Sequence, residues 1–200
     1  MARAVPARQA EFYTGRHLAR LALADLGVAT APIERRDDRS PVWPAGVLGS
    51  ITHTTGICAA AVVRAGTNGL VGLGIDAEQD AVLDPSVVDR VLTWAERRAL
   101  GDRAAADAIV AFSAKEALFK ALHPATGAWL EPREVEVRLD RSPVSDLPSG
   151  ATSGGSVVVE SWAGEVPGHR PGDAVGRWCR FGPWVLTAVT LSLAPGPTRP

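Results

Sequence analysis

Two carboxylates spaced two residues apart, Asp76 and Glu78, close the apolar run Leu70-Val71-Gly72-Leu73-Gly74-Ile75. In an extended chain residues i and i+2 point the same way, so both acids would face one side. Like charges held together in this way call for a cation, and a hard divalent ion such as Mg2+ takes one or two carboxylates plus substrate phosphates. The plain alternative is a solvated strand end carrying two surface acids. Gly72 and Gly74 inside the run suggest that another backbone approaches closely. A second set lies downstream, where Ser113, Glu116, Lys120 and His123 recur at helical spacing opposite an apolar face of Val110, Ala114, Ala117, Leu118 and Ala121. Glu116 and Lys120 form either an i,i+4 surface ion pair or a third carboxylate for the ion with an ammonium beside it for a phosphate. Lys115 points roughly 100° away from Glu116 around the helix and so needs a different partner or a different phosphate oxygen.

The 21 basic residues include only two lysines, Lys115 and Lys120, both in one six-residue stretch. A coding bias toward arginine explains their scarcity but not their location. His53 sits in Gly49-Ser50-Ile51-Thr52-His53-Thr54, a hydroxyl-rich strand end able to offer donors, Thr52 among them, to a phosphate. Arg8 and Arg16 lie on one predicted helix about 12 Å apart, a separation that suits two groups of one extended polyphosphate ligand. Arg35, Arg36 and Arg39 add to the basic density of the N-terminal third. No G-x-x-x-x-G-K-[ST] loop, complete dinucleotide fingerprint, G-x-S-x-G elbow or His-Glu-x-x-His is present.

A chain of 200 residues, 46% hydrophobic and 22% charged, has the apolar mass for a folded core, and disorder is excluded as its overall state. A formal charge of -1 gives no basic footprint for nucleic acid. Cys58 and Cys179 are too few for a disulfide scaffold and read as reduced core thiols. The N-terminus lacks the apolar stretch of a signal peptide, and the longest uncharged run, 181–198, is short for a span and broken by prolines. A cytoplasmic protein with no membrane contact is expected.

The elements that must hold these groups follow from periodicity. A helix is expected over Arg8 to Leu26, strands over Val47–Thr54 and Ile57–Arg64, and an Asn68-Gly69 hairpin turn leading into the strand that ends on Asp76. Asp84-Pro85 opens a short helix, Thr93 with Glu96 caps another, and Asp107 to His123 forms a long one. Strands are expected at 134–140, 157–162, 177–181 and 184–193, with a mobile hairpin loop over 142–156 and a frayed tail from Pro195. Each half then reads as a long helix followed by three or four strands. The expectation is an α+β fold of two pseudo-symmetric lobes, 1–104 and 105–200, each a long helix packed on a small, mainly antiparallel sheet, with a ligand cleft between them.

Three segments in this order, Trp43-Pro44-Ala45-Gly46 with Gly49-Ser50-Ile51-Thr52-His53, then Gly74-Ile75-Asp76-Ala77-Glu78, then Phe112-Ser113-Ala114-Lys115-Glu116-Ala117-Leu118-Phe119-Lys120, resemble the signatures of Sfp-type 4′-phosphopantetheinyl transferases. The opening Arg8-x-Ala-Glu11-Phe12-x-x-x-Arg16 is similar to the branch containing the enterobactin synthetase component D enzymes. The resemblance spans about residues 8 to 140. It implies a pseudo-symmetric α+β enzyme that moves the phosphopantetheine arm of coenzyme A to a serine of an apo acyl or peptidyl carrier protein, releasing 3′,5′-ADP. By motif position it implies that Asp76, Glu78 and Glu116 hold Mg2+, which Mn2+ could replace, and that Glu116 activates the serine directly or through water. It further implies that Lys115 and Lys120 contact the pyrophosphate or neutralise the departing phosphate. His53, Thr52, Arg8, Arg16, Arg35 and Arg39 would hold the coenzyme A phosphates. The cleft lies within one chain, so a monomer is expected, and an acidic carrier would meet an arginine-bearing surface such as Arg97, Arg98 and Arg103. Polyketide, nonribosomal peptide or siderophore assembly would be served. The competing readings are a Mg-dependent phosphohydrolase using the same carboxylates and a coenzyme A binding protein without chemistry.

Overall fold

The computed structural model describes residues 6–29, 31–142, 144–145 and 147–193. Its elements run α1 (Pro6–Asp25), β1 (Val47–Thr54), β2 (Ile57–Arg64), β3 (Leu70–Gln79), α2 (Pro85–Val91), α3 (Trp94–Leu100), α4 (Ala104–Thr126), β4 (Val135–Asp140), β5 (Ala151–Trp162), β6 (Ala174–Phe181) and β7 (Trp184–Ser192). The architecture is α+β with antiparallel sheets. β1 and β2 form a two-stranded ribbon, and the other strands form one sheet in the order β3-β7-β6-β5-β4. Local signals set several boundaries: Asp84 accepts from the backbone N–H of Ser86 to cap α2, and Thr93 and Glu96 close a reciprocal capping box on α3. No helix among the described residues is long and apolar enough to cross a membrane.

The Asn68-Gly69 turn is not a hairpin between paired strands. Gly66, Asn68 and Gly69 all adopt left-handed backbone and reverse the chain, but β3 then pairs antiparallel with β7 of the C-terminal half. The sheets therefore do not follow the two halves of the chain. β3 would be left with an open edge, and one face of the β1–β2 ribbon closes it: Ile75 N–H donates to Ser50 Oγ at 3.0 Å and Ala77 N–H to Thr52 Oγ1 at 3.1 Å. Buried hydroxyls take the place of a neighbouring strand's carbonyls, so these strand-edge donors are satisfied inside the protein. The opposite face of the ribbon packs on α1 through Ala19, Leu23, Val47 and Ile51.

α4 lies across the other face of the large sheet. A Cβ on Gly74 would stand 1.9 Å from the carbonyl oxygen of Ala117, and one on Gly72 2.3 Å from that of Ala121. Together with the Ser113 hydroxyl on Asp76, this sets a register in which four helix residues, about 6 Å of rise, match two strand residues. The glycines are what let the helix sit low enough for its side chains to reach the acids. Gly74→Ala is expected to lower stability by about 2–3 kcal/mol, because backbone must move to admit the methyl. Urea denaturation checks it, and an unchanged midpoint would mean the helix is less closely seated.

Two further expectations change. α4 is longer than the predicted 107–123, because the start of the helix is held where Asp107 meets Arg141 at 2.6 Å and Arg180 at 3.1 Å. The 142–156 segment is not loop throughout, since β5 begins at Ala151. Its glycines serve the pairing: a Cβ on Gly155 would meet the Asp140 carbonyl at 1.8 Å. The expected tail from Pro195 lies outside the described residues.

Candidate active site

Alternation along β1 sorts the predicted ligands. Ser50 and Thr52 face β3, while Ile51 and His53 face α1. Thr52 is buried, and its hydroxyl both accepts from Ala77 N–H and donates to Asp76 Oδ1 at 3.2 Å. It therefore joins the ribbon to β3 and lies apart from the arginines with which it was expected to act. His53, exposed and 3.5 Å from Glu11, lies among them. Arg8, Arg16, Arg35, Arg39 and His53 line a single pocket of about 440 Å3, with Glu11 as its one acidic wall. Arg16 is set by Phe12 beneath its guanidinium at 3.5 Å and by donating to the Ile33 carbonyl at 2.9 Å. Burial and the neighbouring Arg35 lower its basicity, the mark of a cation held beside another cation.

This pocket opens into a second of about 260 Å3, sharing Arg39, Pro41 and Ile51 with it, in which Lys120 faces Trp43, Phe119, His123 and Trp129. The second shares Phe119 and Trp129 with a third of about 200 Å3, lined by Glu116, Leu122, Leu130 and Glu131. A cleft of three adjoining pockets with shared walls thus runs from the arginines past Lys120 to Glu116.

The carboxylates read from the sequence adjoin the cleft: Glu116 lines it, and Asp76 is tied to it through Lys120. β3 stays extended through Glu78, so Asp76 and Glu78 do face α4 together. Asp76 is buried, with Lys120 Nζ at 2.7 Å from Oδ1 and the Ser113 hydroxyl at 2.8 Å from Oδ2. Burial, with the negative charges of Asp76 and Glu116 added and Lys120 opposing, pushes the Glu78 carboxyl up to about 7. Glu116 is also raised, by burial and then by Asp76, with Lys120 again opposing. One ammonium against three acids leaves negative charge uncompensated. Among the described residues no three acid, histidine or cysteine groups stand close enough together to hold a metal ion; Asp76 turns its oxygens to Lys120, Thr52 and Ser113 instead. The donor set itself, all oxygen and in excess of its counter-charge, fits a hard divalent cation.

Lys115 contributes to the wall of the Glu116 pocket, but its ammonium is turned into the protein. Its ammonium is buried and donates to Glu96 Oε2, the Val91 carbonyl and the Pro132 carbonyl, each at 2.8 Å. The side chain is 2% exposed, against 29% for Lys120, and the expectation that Lys115 contacts a phosphate is corrected accordingly. Its neighbour Glu116 is turned about 100° away around the helix. Ser113 and Thr187, which hold Asp76 and α4 together through a 2.9 Å hydroxyl contact, were not among the predicted site residues. Ser113 stood in the polar stripe, but nothing in the sequence marked Thr187.

Two family models match the chain. The 4′-phosphopantetheinyl transferase N-terminal domain model matches residues 1–63, and the 4′-phosphopantetheinyl transferase superfamily model matches residues 72–164. The chain is 38% identical over 202 residues to the 4′-phosphopantetheinyl transferase Svp of Streptomyces mobaraensis, covering 98% of this chain and 77% of that one. The chain belongs to the 4′-phosphopantetheinyl transferase superfamily. The transferase is also 34% identical over 201 residues to Npt of Nocardia iowensis, covering 96% of this chain and 86% of that one. With enterobactin synthase component D of Escherichia coli strain K12 it shares 37% identity over 126 residues, 60% of this chain and 58% of that one. The two models together span every residue of the cleft named above.

Proposed function

We propose that this protein transfers the 4′-phosphopantetheine arm of coenzyme A to a serine of an apo carrier protein or domain, with Mg2+ as cofactor and 3′,5′-ADP as the leaving product. The observation that carries the reading is the cleft of adjoining pockets, with arginines at one end, Lys120 in the middle, and Glu116 and an aromatic-walled pocket at the other. It matches an extended molecule with phosphates along one half and a neutral arm along the other.

Arg8, Arg16, Arg35, Arg39 and His53 bind the phosphates, including the 3′-phosphate. Asp76, Glu78 and Glu116 are the residues that would hold Mg2+. When bound, the ion supplies charge neutralisation across phosphate oxygens. The serine hydroxyl attacks the phosphorus that carries the pantetheine arm, and its proton passes to Glu116 directly or through one water. The new serine oxygen–phosphorus bond replaces the pyrophosphate oxygen–phosphorus bond, and the electron pair leaves on 3′,5′-ADP. Lys120 stands where that charge grows. Among the arginines suggested for carrier docking, Arg97 already pairs with Asp89 and Arg103 lies 3.7 Å from Asp107. Arg98, over exposed Trp94, is the one we assign to an acidic carrier. The protein acts as a cytoplasmic monomer serving polyketide, nonribosomal peptide or siderophore assembly.

The test is incubation with Mg2+, coenzyme A and a panel of apo acyl, peptidyl and aryl carriers, reading intact carrier mass. A phosphopantetheine adduct on a carrier serine is expected, and none on any carrier would overturn the reading.

Glu78 gives a separate check. Its raised carboxyl makes the folded state the stronger proton binder, so the corresponding stability is present at acid pH and lost as pH rises through about 7. Glu78→Gln should therefore stabilise the protein in EDTA at pH 8.5 by about 1–2 kcal/mol, allowing for solvent around the group, and do little at pH 4. The same variant should lose most of the thermal shift that Mg2+ gives the wild type. Equal Mg2+ shifts in both proteins would remove Glu78 from the metal set.

A further inference from the structure

The turn that carries Arg39 is held to the far end of the catalytic helix by one side-chain contact. Asp38 Oδ1 accepts from Ser40 N–H at 2.9 Å and from the Ser40 hydroxyl at 2.6 Å, which closes the turn. Its second oxygen, Oδ2, lies 3.3 Å from His123 Nε2 in the last turns of α4. The other ring nitrogen, Nδ1, lies 3.0 Å from the Ala128 carbonyl oxygen. The ring thus bridges the turn and the segment that follows α4. It is fixed there by stacking on Phe119, with centroids 5.0 Å apart and 11° between planes, and by the edge-on ring of Trp129 at 5.7 Å. Phe119, His123 and Trp129 all line the part of the cleft that Lys120 and Arg39 also face.

We propose that Asp38 and His123 form a positioning latch that holds the 36–40 turn, and with it Arg39, against the catalytic helix, so that the arginine pocket and Lys120 form one continuous phosphate track. This rests on the functional reading above. Neither residue touches the reacting atoms. Arg39 is held at a backbone φ of 73°, uncommon for a residue other than glycine. Its N–H donates to the Arg36 carbonyl at 2.9 Å, and Arg36 N–H donates to the Ser40 carbonyl at 2.9 Å, so the turn moves as a unit when its anchor is released. The charged groups around His123 are Asp38 and Arg39 from the turn, Lys120 from its own helix, and Glu131, which accepts from Trp129 Nε1 at 3.0 Å. Of these, Asp38 is the one in contact with the ring.

Calorimetry of coenzyme A binding, run beside the carrier assay, tests the latch. Asp38→Asn and His123→Gln should each weaken coenzyme A binding about fivefold and raise its KM by a similar factor, with kcat within twofold of wild type. The double variant should be no weaker than either single one, as coupled neighbours require. His123→Lys places a cation opposite Asp38 and should restore affinity relative to His123→Gln. Additive single effects, unchanged affinity in Asp38→Asn, or a fall in kcat at constant KM would each overturn the latch. Binding is read without a carrier, so a wild type that binds coenzyme A but transfers nothing sinks the functional reading alone. A wild type that does not bind coenzyme A sinks both.

Discussion

Glu116→Gln will reduce single-turnover transfer to an apo carrier by about a thousandfold, within the range of 10²- to 10⁴-fold that a positioned general base contributes. Glutamine keeps the volume and can still accept a hydrogen bond, but it cannot take a proton from the serine hydroxyl. Burial and the charge of Asp76 raise the Glu116 carboxyl above its ordinary range, which brings its basicity closer to the pH at which it must work. Coenzyme A affinity measured without Mg2+ should change only a few-fold, because the arginine pocket lies at the other end of the cleft. Transfer within threefold of wild type would assign proton removal to another group.

Lys115→Ala is expected to act on stability. The Lys115 ammonium and the Glu96 carboxylate are both buried, and Glu96 also accepts from Thr93 N–H and Val137 N–H at 2.8 Å. The pair ties α4 to the cap of α3 and to β4. Removing the cation leaves a buried carboxylate and two carbonyls without their shared donor, a loss of about 3–5 kcal/mol. For a chain of this size that is a fall in melting temperature on the order of 10 °C, read by calorimetry or urea unfolding. Residual folded protein should bind coenzyme A normally. Normal stability with lost coenzyme A binding would reverse the assignment and return Lys115 to the phosphate track.

This pair also shows where sequence reasoning stops. Lys115 and Glu116 are adjacent, and periodicity correctly puts them on different faces of one helix. It does not say which face meets the ligand and which meets α3. Thr52 and His53 pose the same problem on a strand: alternation separates them, but only the packing of the β1–β2 ribbon shows that one face covers β3 and the other the arginine pocket. The Asn68-Gly69 turn was legible as a reversal, whereas the strand it delivers pairs with β7, more than a hundred residues later. Turn chemistry is local and pairing partners are not.

The sequence by itself determined the elements and the reactive set: the extents of β1 and β2, the caps of α2 and α3, the carboxylates on one side of β3, and the stripe on α4 that reaches the cleft. These follow from periods of 2.0 and 3.6 residues and from capping chemistry, which need only neighbours in the chain. The tertiary structure alone decided that four dispersed arginines and His53 line one pocket, that hydroxyls of Ser50 and Thr52 seal the edge of β3, that Lys115 is a buried anchor, and that Asp38 meets His123 across 85 positions. Each of these depends on which surfaces of separate elements exclude water together, a property of the packed molecule that no local pattern encodes.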